Sequence, residues 1–219
     1  LISMTKDVYE DLNGDAARDA GDFYGYVSIA SNDGWLVACD VPVLEKDTAE
    51  TLKIVVNGEK VASLVEKLYN FYFETKGSFI ISGNDPVTGV YETQWQANLF
   101  AEGHALAALS MVSDAATTFR SSDVEYGIVP LPKWDENQES YSSFSNTFFT
   151  DYVVIPPTNT DTVRTGALIE AMNYYSQQYV APAFIDNVVK NKSVRDEESA
   201  KIISDIIDNM QYDIALMFN

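Results

Sequence analysis

Apolar positions along this chain recur with two periods, and the switches between them divide it into strands, helices and turns. The run Phe23-Tyr24-Gly25-Tyr26-Val27-Ser28-Ile29 is rich in aromatic and β-branched residues and reads as a strand. It is fed by the polar, acidic stretch Lys6–Asp22, where Gly14 and Gly21 break any helix. Ser31-Asn32-Asp33-Gly34 is a turn cluster ahead of the short apolar run Trp35-Leu36-Val37-Ala38. After a second turn signal, Asn57-Gly58, the residues Val61, Leu64, Val65, Leu68 and Tyr72 follow helical spacing. That pattern predicts one helix over about 59–75 with Gly77 as its stop.

Further on, Asn98–Gly103 leads into a strand expected at His104–Val112. Ser113 or Asp114 then caps a short helix through Phe119, and Val124–Pro130 forms the next strand, a β-α-β unit with a Pro-x-Pro exit. Trp134–Thr150 is rich in Ser, Asn, Gln and aromatics with little periodicity, which suits a long connection or a lid over a binding surface. Asp151–Ile155 reads as a strand stopped by Pro156-Pro157. Thr160 or Asp161 then caps a helix carrying Val163, Ala167, Ile169, Ala171, Met172 and Tyr175. A final helix from near Asp196 places Ile202, Ile203, Ile206, Ile207 and Met210 on one face.

Composition narrows the function classes. The 219 residues are 46% hydrophobic and 12% aromatic, enough to bury one large core or two small ones. A net charge of -19 without clustered Lys or Arg repels nucleic-acid phosphates and acidic membranes, so nucleic acid is not an expected partner. No apolar stretch approaches the roughly 20 residues that span a bilayer. The single Cys39 excludes an internal disulfide and a Cys-rich zinc site, and the single His104 removes most His-based catalytic and metal arrangements; both are expected to be packed residues. No secretion leader is read at Leu1, and the chain is expected to be a fragment beginning inside a longer protein.

Several features occur in one order along the chain: the acidic Asp-x-Asn-Gly-Asp loop, the Tyr-Gly strand, Phe100-Ala101-Glu102-Gly103-His104-Ala105, the exit Tyr126-Gly127-Ile128-Val129-Pro130-Leu131-Pro132, and the step Ile155-Pro156-Pro157-Thr158-Asn159. Together they resemble family 1 extracellular solute-binding proteins, the receptors of ATP-binding-cassette importers. The resemblance implies an α/β fold: a periplasmic-binding-protein type II-like lobe, three-layer α/β/α, with additional C-terminal helices. Residues 1–132 are expected to form the second lobe, and 133–219 the hinge crossing and helices packing on an incomplete first lobe. It further implies a monomeric, non-enzymatic receptor that binds a carbohydrate in an interlobe cleft and delivers it to the membrane subunits of the importer. Export as a cell-surface lipoprotein is implied as well. A non-catalytic interaction module, or a receptor for a peptide or polyamine, is the alternative.

Sugars present hydroxyl rims and apolar faces, so their sites combine aromatic rings with amides, carboxylates and backbone N–H groups. Trp35, beside Asn32 and Asp33, stands where a cleft opens in an open α/β lobe, against ordinary core packing as the alternative. Ser110, Ser113 and Asp114 stand at a strand-to-helix step, where free N–H groups meet polar ligands or where a simple cap is needed. By resemblance this step contributes ligand contacts. Trp134 and Tyr141 lie in the long connection, and Trp95 is expected only to cover a flank.

Asp11, Asn13, Asp15, Ala17, Asp19 and Asp22 fall at calcium-loop offsets, Ala17 through its carbonyl, and could hold a structural calcium; no other cofactor is required. Ala16 replaces the usual Gly at the sixth position and Asp22 the usual Glu at the twelfth. A solvated acidic loop without an ion is the competing state. Glu92, Glu102, Asp114 and Asp151 lie nearest predicted strand ends, yet no nucleophile elbow or phosphate loop accompanies them, so hydrolysis is not expected.

Overall fold

The computed structural model describes residues 1–31, 33–48, 51–56, 58–145, 153–186 and 197–212. The architecture is mixed α/β, and strand β2 (Phe23–Ile29) is its centre. A short N-terminal turn of helix, α1 (Ile2–Thr5), leads to β1 (Tyr9–Glu10), which pairs antiparallel with the start of β2. Strand β5 (Ser78–Ile81) lies parallel to β2 with Tyr26 opposite Ser78. On the other edge β6 (Ala105–Ala108) is also parallel, with Tyr26 opposite Ala107. Tyr24 through Ser28 are all buried, the near-continuous burial of a central parallel strand.

Parallel neighbours require crossovers, and here these carry helices onto both faces of the sheet. Between β2 and β5 run α2 (Asp33–Ala38), the antiparallel hairpin β3 (Leu44–Lys46) with β4 (Leu52–Ile54), and α3 (Glu59–Phe73). Leu64, Leu68, Phe71 and Tyr72 of α3 bury against Tyr26, Trp35 and Ile80, a stripe at helical spacing. Between β5 and β6 runs α4 (Glu92–Ala101), which takes the opposite face: Leu99, Trp95 and Phe100 pack with Val27, Phe79 and Ile81. Alternation along the strands decides this, since Phe79 joins one cluster and Ile80 the other.

The start of the chain is seated by two glycines. A Cβ on Gly25 would stand 2.1 Å from the Thr5 carbonyl oxygen, and one on Gly77 would stand 1.9 Å from the same atom. That close approach lets the Gly25 N–H donate to Val8 O at 2.8 Å and the Gly77 N–H to Lys6 O at 2.9 Å. Thr5 is buried beneath the crossing.

After β6 the chain forms α5 (Val112–Ala116) and a short 3₁₀ turn at Phe119–Ser121 rather than one helix to Phe119. Met111, not Ser113 or Asp114, stands at the N-cap. Val124–Pro130 is not a strand; it runs beside α8 (Glu197–Asp208), where the Ile128 N–H donates to Ser199 Oγ at 3.0 Å. The predicted apolar face of α8 centres on Ile203, which is fully buried. Trp35–Ala38 is helical, and His104–Val112 keeps strand pairing only over β6. Residues 153–155 of the expected Asp151–Ile155 strand are not strand, and 151–152 lie outside the described residues. Short β7 (Ser143–Phe144) and β8 (Met210–Gln211) pair in parallel.

Asp161 caps α6 (Thr162–Tyr175), its carboxylate accepting from Arg164 N–H at 3.0 Å. The helical run continues through a π turn at Ser176–Val180 into α7 (Ala181–Phe184). Pro182 has no N–H to donate, which favours the wider turn before it. None of the residues of α6, the π turn or α7 is buried.

Two outcomes are expected. Gly77→Ala drives a methyl into the Thr5 carbonyl and should cost about 3 kcal/mol of unfolding free energy, near the upper range for overpacking, read by urea titration. Burial raises the phenol pKa of Tyr24, Tyr26 and Tyr72 above the ordinary value of 10.0. Their contribution is therefore whole below about pH 10 and is lost as pH rises past it, because the unfolded state ionises first. The Tyr26 hydroxyl is buried near those of Tyr72 and Ser28 but makes no hydrogen bond of ordinary length among the described residues. Tyr26→Phe should accordingly raise stability by about 1 kcal/mol at neutral pH and flatten the alkaline fall in Tm.

Candidate functional site

Strands β2, β5 and β6 are mutually parallel, so their carboxyl ends share one edge of the sheet. The connection leaving β2 goes to the α3 face and the one leaving β5 goes to the α4 face. In open α/β sheets a crevice forms at the carboxyl ends of strands where the connections diverge in this way. Ala30 N–H donates to Ile81 O at 3.1 Å and Leu109 N–H to Val27 O at 3.3 Å, which ties the strand ends together. The edge therefore gathers Ser31, the loop Ser82-Gly83-Asn84 and the step Ser110–Met111. Ser82–Asn84 is exposed, and Gly83, at φ +95°, presents its N–H to Glu92 Oε2 at 3.0 Å. This loop is absent from the sequence-based site, although Ser-Gly-Asn after Phe79-Ile80-Ile81 is a turn signal at a strand end.

Of the expected ligand residues, Asp33 opens α2 half-buried beside this edge, and Asn32 lies outside the described residues. Trp35 faces inward: it is 5% exposed and donates Nε1–H to the Tyr72 hydroxyl at 2.6 Å, so it serves the core rather than a cleft wall. Because α2 begins at Asp33, its third residue, Trp35, turns toward α3, which is the core packing that stood as the alternative to a cleft wall. Asp114 is buried, and its carboxylate accepts from Ser110 Oγ at 2.5 Å and from Met111 N–H at 3.0 Å. It therefore satisfies the first turn of α5 from within. Ser113 is exposed on that turn.

Trp134 is half-buried against the α3 cluster with Lys67 Nζ 4.0 Å above its ring. Tyr141 is exposed, with Lys133 Nζ 5.3 Å from its ring centre. Trp95 packs edge-on to Phe79 in the α4 layer. The structure thus brings Trp35 and Trp134 to one core cluster and leaves Asp33, Ser110 and Ser113 toward the sheet edge. Among the acidic residues near strand ends, Glu92 holds the Gly83 turn, Glu102 is exposed and Asp151 lies outside the described residues. Cys39 is buried and unpaired, its thiol pKa pushed up by burial. His104 Nδ1 lies 3.0 Å from Asp22 O.

The acidic loop is a chain of side-chain-to-backbone bonds. Asp11 accepts from Gly14 N–H at 2.6 Å and Ala16 N–H at 3.0 Å, Asn13 from Asp15 N–H at 2.9 Å, and Asp15 from Ala17 N–H at 2.7 Å. Ala16 takes φ +61° at the sixth position, where calcium loops place Gly. Asp22 is fully buried and accepts from Tyr9 Oη at 2.9 Å and Leu12 N–H at 3.3 Å; burial and this carboxylate hold the Tyr9 phenol above its ordinary pKa. Arg18 reaches back across Tyr9 and Tyr24 to donate to Lys76 O at 2.7 Å and Ser78 O at 3.2 Å, fastening the loop to β5. The donor set is oxygen-rich and suits a hard cation, while its carboxylates here face backbone amides. Among the described residues no three of His, Cys, Asp or Glu converge as metal ligands.

The sheet edge exposes the hydroxyls of Ser82 and Ser113 and the Asn84 amide, while the Gly83 and Met111 N–H groups and the Ser110 hydroxyl donate to Glu92 and Asp114. The acidic loop stiffens the opposite, amino end of β2. Because Ala16 carries a Cβ in the left-handed region, Ala16→Gly should stabilise the protein by about 1 kcal/mol, measured as an upward Tm shift at neutral pH. No helix among the described residues is long and apolar enough to cross a membrane. No family model, no curated protein and no solved structure matches the chain.

Proposed function

We propose that this chain is the second lobe of a two-lobed extracellular solute receptor, similar to family 1 solute-binding proteins, that binds a carbohydrate and delivers it to an ATP-binding-cassette importer. The observation that carries the proposal is the common carboxyl edge of β2, β5 and β6, with its diverging connections and its hydroxyl and amide groups at Ser31, Ser82–Asn84 and Ser110. A sugar seated there is bridged by the opposing lobe, and the bridge favours the closed state that the importer recognises.

The helical run from α6 through α7 supports the same arrangement. It buries none of its residues, yet Val163, Met172, Tyr175 and Tyr179 are apolar and exposed. A helix that buries none of its residues gains little stability from packing, so this one is assigned to the surface of the first lobe, with the segment from 133 onward as the hinge crossing. The receptor is read as a monomeric, exported, surface-anchored lipoprotein without catalytic activity. Loop 11–22 is assigned a structural calcium, held by Asp11, Asn13, Asp15, the Ala17 carbonyl, Asp19 and Asp22, which would neutralise its crowded carboxylates.

Thermal-shift screening against mono- and oligosaccharides, with calcium or chelator, tests both assignments. A cognate sugar at a hundredfold excess over its Kd contributes about 2.7 kcal/mol, which for a chain of this size is roughly 5–10 °C in Tm. Asp33→Asn and Asn84→Ala should diminish that rise. Calcium should raise Tm without sugar. No rise with any sugar would remove the carbohydrate assignment, and no rise with calcium would leave the loop an ion-free turn.

A further inference from the structure

Helix α3 carries two apolar stripes where a surface helix needs one. Leu64, Leu68, Phe71 and Tyr72 bury against the sheet. On the outward side Val65, Tyr69 and Phe73 follow one another at four-residue spacing, with Ala62 three residues before them, and all four are exposed. Val65 is 58%, Tyr69 55% and Phe73 59% exposed, and the Tyr69 and Phe73 rings lie 5.4 Å apart. From Val65 to Phe73 the helix rises about 12 Å, so these side chains form one continuous ridge and not the scattered single apolar residues of an ordinary surface.

Charge on the helix is sorted around this ridge. Both lysines within α3 are taken up by the protein itself: Lys60 Nζ donates to Asp40 O at 2.9 Å, and Lys67 Nζ stands 4.0 Å from the Trp134 ring centre. Glu59 and Glu66, two turns apart, fall along one flank of the ridge. Both are exposed, and neither forms an ion pair among the described residues. The outer face of α3 therefore presents aromatic and aliphatic surface beside negative charge that the chain does not neutralise.

Charge decides among the surfaces that could cover such a ridge. A second copy would bring two faces of one sign together in a chain of net charge -19, and an anionic membrane is repelled in the same way. A cationic partner is attracted by the net charge at long range and by Glu59 and Glu66 at contact. We propose that the outer face of α3 docks a helix of another protein, one that lays apolar side chains over Val65, Tyr69 and Phe73 and turns Lys or Arg toward Glu59 and Glu66. Side chains at four-residue spacing form the ridge that seats in the groove of such a helix. The face is the outside of the α3 layer, separate from the carboxyl edge of the sheet, and the proposal does not rest on the carbohydrate assignment.

Fluorescence anisotropy tests it with a labelled synthetic amphipathic helix that carries Leu on one face and Lys along its flanks. The native chain should bind one equivalent saturably, with affinity falling as salt is added. The double variant Tyr69→Gln, Phe73→Gln should bind about tenfold more weakly or worse. Both positions are exposed and Gln favours helix, so the fold is expected to survive, with circular dichroism and Tm as the check. Glu59→Gln, Glu66→Gln should weaken binding several-fold and flatten its salt dependence, which keeps the test open should the aromatic variant unfold. A peptide of the same composition with Leu and Lys scrambled should bind about tenfold more weakly. Unchanged affinity of the folded aromatic variant or of the scrambled peptide would mark diffuse attraction to an acidic surface and overturn the proposal. So would absence of saturable binding, or equal binding of a peptide with Glu in place of Lys. A dimer in sedimentation velocity that Tyr69→Gln, Phe73→Gln abolishes would give the ridge to a second copy and overturn it as well.

Discussion

Strand β2 is hydrogen-bonded along both edges, and the rest of the architecture follows from that constraint. Its buried run leaves no solvent for the backbone N–H and C=O groups, so each needs a ladder partner. Tyr26 is opposite both Ser78 and Ala107, and Val27 is opposite both Phe79 and Ala108. Two parallel partners force two crossovers, and the helices of those crossovers cover the two faces. Gly25, within β2, and Gly77, just before β5, let the Thr5–Lys6 backbone close the amino end of the same sheet. The carboxyl end is left to loops, and it is there that polar groups collect.

The amino end carries most of the local charge problem. Asp22 enters the interior ionisable and fully buried, which would be costly without donors. Tyr9 and the Leu12 N–H supply them, and the Arg18 guanidinium crosses the Tyr9 and Tyr24 rings to reach carbonyls at the edge of β5. The acidic loop is therefore a clasp on the sheet. Its remaining carboxylates turn onto backbone amides, so it keeps its shape through local bonds while presenting oxygen to solvent.

Much of this order is legible in the residues. The stripe Leu64, Leu68, Tyr72 gives α3 almost to its ends, the aromatic and β-branched run gives β2, and Asp161 marks the start of α6. Other elements are less visible for physical reasons. Ser78–Ile81 is only four residues long and follows a predicted helix stop, so it carries no alternation of its own. The hairpin β3–β4 mixes Lys, Glu and apolar residues on exposed strands and looks like loop. Val124–Pro130 has strand composition but takes its bond from Ser199, a helix residue far along the chain. Trp35 shows the limit for site residues: a ring after a turn cluster can face either way, and the choice was made by Tyr72, whose hydroxyl accepts its indole N–H. The seating of residues 133–140 on the end of α2 depends on Gln138 Nε2 donating to Ala38 O across a hundred residues, which no local pattern contains.

The polar carboxyl edge of the sheet is the proposed seat of a sugar. The most direct check of that proposal is an amide NMR titration of the isotopically labelled chain with the saccharide that gives the largest thermal shift. Chemical-shift changes concentrated at residues 31, 33, 82–84 and 110–113 are expected. Changes confined to other surfaces, or none at saturating sugar, would contradict a receptor that works through the carboxyl edge of its sheet.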